Sequence, residues 1–285
     1  MRNTANDMTP FIGFIGAGNM ASSLLAGLVQ QGVPGTQLGA TDPDPDKRAS
    51  VARIDGLLAT ADNATIARRA DLLVLAVKPQ ALEAACRSLT DALSDREPVV
   101  VSIAAGITTT TLTRWFGREL ALVRAMPNTP AMLGLGATGL FATEKVTDAQ
   151  RGVADQLFRG VGKAFWLESE ADLDLVTALS GSGPAYFFLF MEALVDGARE
   201  LGMPVELARA LTLQTAVGAA HMAQDSGQAL SELRRQVTSP GGTTEQGLKV
   251  MEREGMRRIA REVLMAARAR AAELAHELGD GSDAR

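Results

Sequence analysis

The residues best suited to chemistry form a short loop near the C-terminal end of the chain, VTSPGGTT at positions 237–244. Two adjacent glycines let a ligand approach the backbone closely, and hydroxyl side chains flank them on both sides. A helical pattern follows at once, so the free N–H groups of a helix start would point into the loop. Such a loop suits a small carboxylate or phosphate. It also fits an ordinary capped helix start after a Pro-Gly turn, and the loop alone leaves both interpretations open.

A second glycine loop lies near the N-terminus and has the spacing G-x-G-x-x-A from Gly16 to Ala21. It follows a short apolar run at residues 11–15. Gly16 permits a tight turn, Gly18 lets a pyrophosphate approach, and Ala21 lets the next helix pack on the strand. Apolar residues then recur at helical spacing as far as Gly32. This context predicts a dinucleotide site, although a nucleotide-free α/β turn has the same pattern.

The chain offers few side chains for metal or acid–base chemistry. Its two histidines, His221 and His276, are too far apart in sequence for an H-x-x-x-H pair, and the single cysteine has no partner, so no metal site is expected. Hydride transfer fits this composition, because a cofactor carries the chemistry and the protein mainly orients it. An imine substrate fits better still, since its nitrogen can arrive protonated and needs no histidine as acid.

Length and charge bound the class of protein. A chain of 285 residues predicts about two domains. A net charge of −5 and few aromatic residues argue against a nucleic-acid partner. The lone Cys86 favours a reducing compartment. Residues 1–10 are polar, and we expect no uncharged apolar run of membrane-spanning length. We therefore expect a cytoplasmic protein without nucleic-acid or membrane partners.

The elements that must position the two loops change character along the chain. In the first half, short apolar runs alternate with helical patterns, which predicts a doubly wound, mostly parallel sheet. From Asp174 onward the pattern is almost wholly helical. We expect an α/β domain over residues 1–167 and an all-α domain over residues 168–285. After the run at 11–15, further strands are predicted at 37–41, 72–77, 99–103, 120–125 and 138–142.

The helix that begins near Pro184 is apolar around most of its circumference. Its large apolar side chains extend from Tyr186 to Val195. A helix of this kind is buried between elements or between chains, and a small helical domain offers few places to bury it. We therefore expect dimerisation through this half of the chain, with an ordinary core helix of one subunit as the alternative.

Five strings, in order and at the expected intervals, together resemble pyrroline-5-carboxylate reductase. They are IGFIGAGNMA at 12–21, AVKP at 76–79, RAMPNTP at 124–130, GSGPAY at 181–186 and VTSPGGTT at 237–244. The resemblance implies reduction of 1-pyrroline-5-carboxylate to L-proline with NADPH or NADH, the last step of proline biosynthesis. It implies an N-terminal NAD(P)-binding Rossmann domain and an all-α C-terminal domain for dimerisation and substrate binding. It also implies a homodimer assembled into a larger ring, commonly a decamer.

Carried over position by position, the resemblance assigns residues to coenzyme and substrate. The coenzyme set comprises Gly16, Ala17, Gly18, Asn19 and Met20 at the pyrophosphate, Asn63, Ala76, Val77, Lys78 and Pro79 on the adenosine side, and Ala104, Ala105 and Gly106 near the nicotinamide half. The substrate set comprises Ser239, Gly242, Thr243 and Thr244 at the carboxylate, with Glu170 and Gln236 bordering the pocket. Thr244 is the expected catalytic contact. The apolar coenzyme positions fit simple sheet packing equally well, and Glu170 fits a solvated acid.

One position departs from family members that prefer NADPH. Such members tend to place a small hydroxyl, or an Asn-Arg pair, after the second strand, where this chain has Asp42 and Pro43. A carboxylate there accepts hydrogen bonds from the ribose hydroxyls of NADH and repels a 2′-phosphate. Lys47 and Arg48 would offset that repulsion if the loop folds back. Use of NADH is therefore expected, and the preference between the two coenzymes stays open.

Three other classes of protein share some of these features. A β-hydroxyacid dehydrogenase also joins a dinucleotide domain to a helical domain, but it calls for a lysine as acid and base in the helical half. Lys249 is the one lysine after Lys163, and it lacks the expected glycine-rich setting. A regulatory module that binds NAD(H) without turnover would have no use for a second anion loop. A purely structural oligomer would leave both loops unexplained.

Overall fold

The computed structural model describes residues 10–280, and these form two compact units. The first, here called the sheet unit, comprises the described residues up to Ser182 together with those from Ala267 onward. The second, called the helical unit, comprises Gly183–Ala266. This division falls later in the chain than the expected boundary between residues 167 and 168.

The segment between the expected boundary and Ser182 packs on the sheet unit. Leu173 and Ala178 are buried, and the side chain of Val176 lies directly against Gly139. These contacts use a helical segment to cover one end of the sheet. The change from alternating to helical sequence pattern therefore does not coincide with the change of compact unit.

Eight strands are present among the residues that the structure describes. They are β1 (Ile12–Ile15), β2 (Leu38–Thr41), β3 (Leu58–Thr60), β4 (Leu72–Leu75), β5 (Val99–Ser102), β6 (Ala121–Met126), β7 (Gly136–Ala142) and β8 (Gly162–Trp166). All form one sheet in the order β3-β2-β1-β4-β5-β6-β7-β8. Pairing is parallel throughout except between β6 and β7, so the last two strands run against the other six. The predicted doubly wound, mostly parallel sheet is confirmed.

All six predicted strands are present with small changes at their ends, and two strands were missed. The first, β3, has three half-buried residues, too few for a pattern to be read from sequence. The second, β8, is an edge strand whose residues alternate between half-buried and exposed. The helices of the sheet unit are α1 (Asn19–Gln30), α2 (Pro45–Val51), α3 (Asn63–Ala67), α4 (Pro79–Leu89), α5 (Thr109–Phe116), α6 (Asp148–Arg159) and α7 (Asp172–Val176), followed by a π-helical turn at Thr177–Gly181.

Both faces of the sheet are covered by apolar packing. Alternate strand residues point to opposite sides, so Val74 joins one buried cluster while Leu73 joins the other. Helix α1 contributes Leu24 and Leu28 to the first cluster, and α5 contributes Trp115 to the second. A sheet buried on both faces requires continuous apolar strands, which is why β4 and β5 could be recognised from sequence. This core fixes the strand ends from which the loops of interest emerge.

The helical unit exposes much of its apolar surface in the single chain. Its helices are α8 (Gly183–Glu200), α9 (Val205–Asp225), α10 (Leu230–Gln236), α11 (Thr243–Arg253) and the first part of α12 (Met256–Asp280). Phe187, Phe188 and Leu189 are each more than 60% exposed. An apolar groove of about 420 Å³ lies between α8 and α9. Apolar surface on this scale marks an interaction surface.

One helical segment of the described chain, Asp172–Glu200, is long and apolar enough to cross a membrane by length and composition. The expectation that no apolar run approaches that length was therefore too strong. Glycines and serines between Thr177 and Gly183 interrupt the run and hid it from a search for continuous apolar residues. Length and composition alone also describe a helix that packs against another subunit.

The lone cysteine gives a direct test of how α4 packs on the sheet. Cys86 is buried on α4, and burial raises the pKa of its thiol to about 12. Because only the thiolate reacts and the thiol is buried, we expect native protein at pH 8 to react with an aromatic disulfide reagent much more slowly than unfolded protein. Titration with and without denaturant measures this. Rapid labelling of the native protein would show that α4 does not cover Cys86.

Candidate functional site

The first glycine loop connects β1 to α1 at the edge where the carboxyl ends of the parallel strands meet. Gly16 has φ +102°, and a Cβ there would lie 2.8 Å from the carbonyl oxygen of Ala76, so the turn requires glycine. Its N–H donates to the Thr41 carbonyl at 2.8 Å. The strand order reverses between β1 and β4 at this point. Doubly wound sheets bind ligands in the crevice outside such a reversal.

The local geometry of this loop fits a pyrophosphate. Helix α1 begins at Asn19 after Gly18, and in the described chain no side chain caps it and no acidic residue lies in its first turn. A Cβ added at Gly18 would meet nothing within 4 Å, so open space lies over that position. Uncapped N–H groups and the positive end of the helix dipole favour an anion there.

The predicted adenosine-side residues lie at the same edge of the sheet. Ala76 follows β4 and donates its N–H to the Ile15 carbonyl at 2.8 Å. Lys78 is exposed before α4, with Pro79 as the first helical residue. Asn63 begins α3, and its Oδ1 accepts from Thr41 Oγ1 at 2.7 Å. The structure thus brings these side chains to the ends of neighbouring strands, and their contacts with a coenzyme stay a prediction.

Asp42 is placed differently from the sequence interpretation. Its side chain is buried, and its two carboxylate oxygens accept from the N–H groups of Ala17 and Asp44, both at 3.0 Å. The carboxylate therefore supports the glycine loop itself, and a bond to a ribose hydroxyl would have to share these oxygens. Lys47 Nζ lies 3.7 Å from Asp42, and Arg48 Nη1 donates to the Asp42 carbonyl at 2.7 Å. The loop does fold back onto the carboxylate.

The loop after β5 carries the residues assigned to the nicotinamide half. Ala104 and Gly106 are buried and Ala105 is partly exposed. The Ala104 N–H donates to Ser102 Oγ at 3.4 Å, and Gly106 has φ +78°. This loop leaves the sheet beside the loop that follows β4.

Glu170 is neither a solvated acid nor a free pocket residue in the sheet unit. Its Oε1 accepts from Thr109 N at 2.7 Å and Arg124 Nη1 at 2.9 Å, and its Oε2 accepts from Thr109 Oγ1 at 2.6 Å. Thr109 and Arg124 are buried. Sequence reasoning missed both partners, because Arg124 was noted only as part of the RAMPNTP string. A buried arginine on a strand was the signal for a carboxylate nearby.

A second polar contact that was not predicted joins the same string to Ser180, the residue just before the GSGPAY string. Asn128 is buried; its Nδ2 donates to the Ser180 carbonyl at 3.1 Å and its Oδ1 accepts from Ala137 N at 2.9 Å. Ser180 lies in the π-helical turn before α8. Turns of this kind are frequent near functional sites.

The hydroxyl loop lies in the helical unit, between α10 and α11. Gly242 occupies the N-cap position of α11, and within the described residues no side chain caps the helix. Thr243 and Thr244 are exposed at its first two positions, and neither hydroxyl makes a hydrogen bond within residues 10–280. The alternative in which these hydroxyls cap the helix is therefore not supported. The helix start remains open to an anion.

Other members of the loop are held by internal bonds. Glu245 Oε2 accepts from Gly241 N at 2.7 Å, and that bond, followed by the Lys249 ammonium, holds the pKa of Glu245 below its usual value. Gln236 Nε2 donates to Gln228 Oε1 at 2.7 Å. Ser239 is exposed beside Gly242. The predicted carboxylate residues are thus contiguous, whereas Glu170 belongs to a network in the sheet unit.

Family models match both the sheet-forming and the helical parts of the chain. A family model described as pyrroline-5-carboxylate reductase dimerisation matches residues 170–274, and one described as NADP oxidoreductase, coenzyme F420-dependent, matches residues 11–106. A pyrroline-5-carboxylate reductase of Coxiella burnetii has a TM-score of 0.90 at 45% identity, covering 93% of this chain and 98% of that one. A Plasmodium falciparum pyrroline carboxylate reductase with NADP bound has a TM-score of 0.81 at 29% identity, covering 94% and 98%.

These matches confirm the predicted fold class, a Rossmann-like sheet domain followed by a helical dimerisation domain. The pyrroline-5-carboxylate reductase of Pseudomonas aeruginosa is 51% identical over 271 residues, which cover 95% of this chain and 99% of that protein. Two separate glycine loops, each ending in an uncapped helix start, accompany this likeness. The chain belongs to the pyrroline-5-carboxylate reductase family.

Proposed function

We propose that this protein reduces 1-pyrroline-5-carboxylate to L-proline with NADPH or NADH, as the last step of proline biosynthesis. Its relatives of 51% and 43% identity bear the name of this enzyme. The structural observation that carries the proposal is the open helix start at Thr243 and Thr244, where two hydroxyls and the first N–H groups of α11 have no capping side chain. This arrangement suits a substrate that brings its own carboxylate.

The residues of the chain have limited work to do in this reaction. The cyclic imine enters with its nitrogen protonated, so reduction needs no histidine or lysine as acid. The loop at residues 239–244 holds the carboxylate, and the Thr244 hydroxyl donates a hydrogen bond to the bound substrate. When bound, the reduced nicotinamide supplies the hydride that the imine carbon accepts. The nitrogen keeps its proton and becomes the amine of proline.

The coenzyme is held by the sheet unit in this proposal. The uncapped start of α1 receives the pyrophosphate, and the strand-end residues around Asn63 and Ala76 face the adenosine side. Lys47 is half-exposed beside the buried Asp42. This lysine would attract the 2′-phosphate of NADPH, and the Asp42 oxygens, which accept from the N–H groups of Ala17 and Asp44, would be shared with the hydroxyls of NADH, so we propose that both coenzymes are used.

The proposed substrate class separates this enzyme from a hydroxyacid dehydrogenase. We expect oxidation of NADPH or NADH with a 1-pyrroline carboxylate and none with open-chain 2-keto acids, because neither glycine loop carries a histidine or lysine that could protonate a carbonyl oxygen. The absorbance of the reduced coenzyme at saturating concentrations of each substrate measures this. Comparable rates on a 2-keto acid would overturn the assignment to imines.

We propose further that the subunits dimerise through the helical unit. The exposed apolar side chains of α8 and the apolar groove beside them support this, as does the match to a dimerisation family model. The apolarity of Asp172–Glu200 then serves a partner subunit and not a lipid bilayer. A ring of dimers such as a decamer, and a cytoplasmic location without nucleic-acid partners, remain predictions.

A charge placed on this surface tests the dimer. Phe188 is 63% exposed on α8, and we expect Phe188→Glu to dissociate the oligomer and reduce activity, since burying an unpaired carboxylate costs several kcal/mol. Light scattering with activity on the same fractions measures both. Ala149→Glu, on an exposed residue of α6 in the sheet unit, is the control for one added negative charge. An active wild-type monomer would contradict the proposal.

A further inference from the structure

The loop that links β5 to α5 is held at both ends by polar groups whose roles in catalysis have not been assigned. At the strand end, Ser102 Oγ accepts from the Ala104 N–H at 3.4 Å. At the helix end, Thr109 is the first residue of α5 and gives both its N–H and its hydroxyl to Glu170. Residues 104–108 therefore lie between Ser102 and Thr109, which are both held by hydrogen bonds.

The strand and helix anchors are connected through Arg124. It lies on β6 directly beside Ser102 of β5 in the sheet register, and its Nη1 donates to Glu170 Oε1 at 2.9 Å. The arginine side chain is 8% exposed and that of Glu170 is 22% exposed. A guanidinium that is nearly out of water requires its carboxylate partner, so this ion pair fixes where the Glu170 carboxylate sits.

The middle of the loop rests on the last helix of the chain. A Cβ added at Gly106 would lie 3.3 Å from Ala275 N and 3.4 Å from Leu274 C, so the backbone of α12 lies against this glycine. Leu278 on the same helix packs against the second buried cluster. The loop thus packs against α12 at Gly106 and is held at Thr109 by the Glu170 carboxylate.

We infer that Glu170 is a positioning residue for the nicotinamide half of the coenzyme and acts through Thr109 on the loop at residues 104–108. This inference rests on the proposed function and on the assignment of Ala104, Ala105 and Gly106 to the nicotinamide half of the coenzyme. It differs from a role in holding the substrate carboxylate. Both Glu170 oxygens are engaged by Thr109 and Arg124, and together these contacts set the position at which α5 begins.

The test compares two variants that weaken the same contact from opposite sides. Glu170→Gln removes the charge and keeps the shape, and Thr109→Val removes only the hydroxyl. Each is titrated with NADPH and separately with ADP, which occupies the pyrophosphate and adenosine side alone. Thr110→Val is the matched control, because Thr110 is the next residue and lies exposed outside the network. Melting temperature is recorded for every variant.

We expect both variants to weaken NADPH binding by about fivefold to tenfold while ADP binding stays within about twofold of the wild type. The double variant should bind NADPH with an affinity within about twofold of the weaker-binding single variant, since both changes weaken the same contact between Glu170 and Thr109. Thr110→Val should behave as the wild type. The KM for 1-pyrroline-5-carboxylate at saturating NADPH should change little in any variant.

Three results would overturn the inference. A raised substrate KM in Glu170→Gln, with unchanged NADPH binding and an unaffected Thr109→Val, would place Glu170 at the substrate. Equal losses of NADPH and ADP binding, or a lowered melting temperature with normal binding, would make its role purely structural. Coenzyme binding is measured without substrate, so failure here is distinct from failure of the proposed function, which would show as wild-type protein that does not reduce the imine.

Discussion

Replacing Thr244 by alanine is expected to lower kcat/KM for 1-pyrroline-5-carboxylate by about one to two orders of magnitude, the effect of losing a polar contact to a bound ion. The Thr244 hydroxyl is exposed at the start of α11 and makes no hydrogen bond within the described chain. Its removal therefore takes nothing from the folded protein and acts on the ligand alone. Steady-state kinetics with varied imine concentration measure the effect.

Two controls separate this effect from a change in stability. Thr244→Ser keeps the hydroxyl and should retain most of the activity. The melting temperature and the affinity for coenzyme should barely move in either variant, because the coenzyme is assigned to the loop at Gly16. A Thr244→Ala protein with a lowered melting temperature and unchanged kcat/KM would mean that this threonine only supports the helix.

Replacing Gly18 by valine is expected to weaken coenzyme binding by about 10-fold to 100-fold, the range for forcing added atoms into a filled site. A Cβ at this position meets nothing within 4 Å, and the backbone has φ −72° and ψ −177°, which valine adopts readily. The added Cβ therefore fits against the protein, and it occupies space that the pyrophosphate would need. Titration with NADPH and NADH measures the loss.

The matched control is Gly152→Ala on α6, an exposed glycine whose added Cβ would likewise meet nothing within 4 Å. It should leave coenzyme affinity unchanged and raise stability slightly, since alanine favours a helix. Gly18→Val should lower the free energy of unfolding by no more than about 1 kcal/mol, and its melting temperature should fall only by the corresponding small amount. Normal coenzyme binding by Gly18→Val would remove the pyrophosphate from this loop.

The sequence was informative where a local pattern has one structural meaning. Strands such as β4, buried on both faces, read as continuous apolar runs, and Gly16 occupies a turn that other residues cannot adopt. The helix start at Thr243 was predicted because adjacent glycines and hydroxyls come directly before a helical pattern. These features depend on residues close together in the chain, so position in sequence carries the information.

Features set by distant residues could not be predicted. Asp42 is predicted to contact the ribose from its place after β2, and the bond that it accepts from the Ala17 N–H, 25 residues away, could not be predicted. Glu170 is predicted to border the pocket, with a solvated acid as the alternative, and its partners Thr109 and Arg124 are 61 and 46 residues away in sequence. Pairing of side chains across a fold requires the three-dimensional arrangement.

The most direct measurement of the central claim is the stoichiometry of the reaction with purified protein. Oxidation of NADPH or NADH is followed by absorbance while proline is quantified in the same sample. We expect one L-proline for each coenzyme oxidised when 1-pyrroline-5-carboxylate is the substrate, with both products greatly reduced in Thr244→Ala. Wild-type protein that binds coenzyme but forms no proline from the imine would contradict the account.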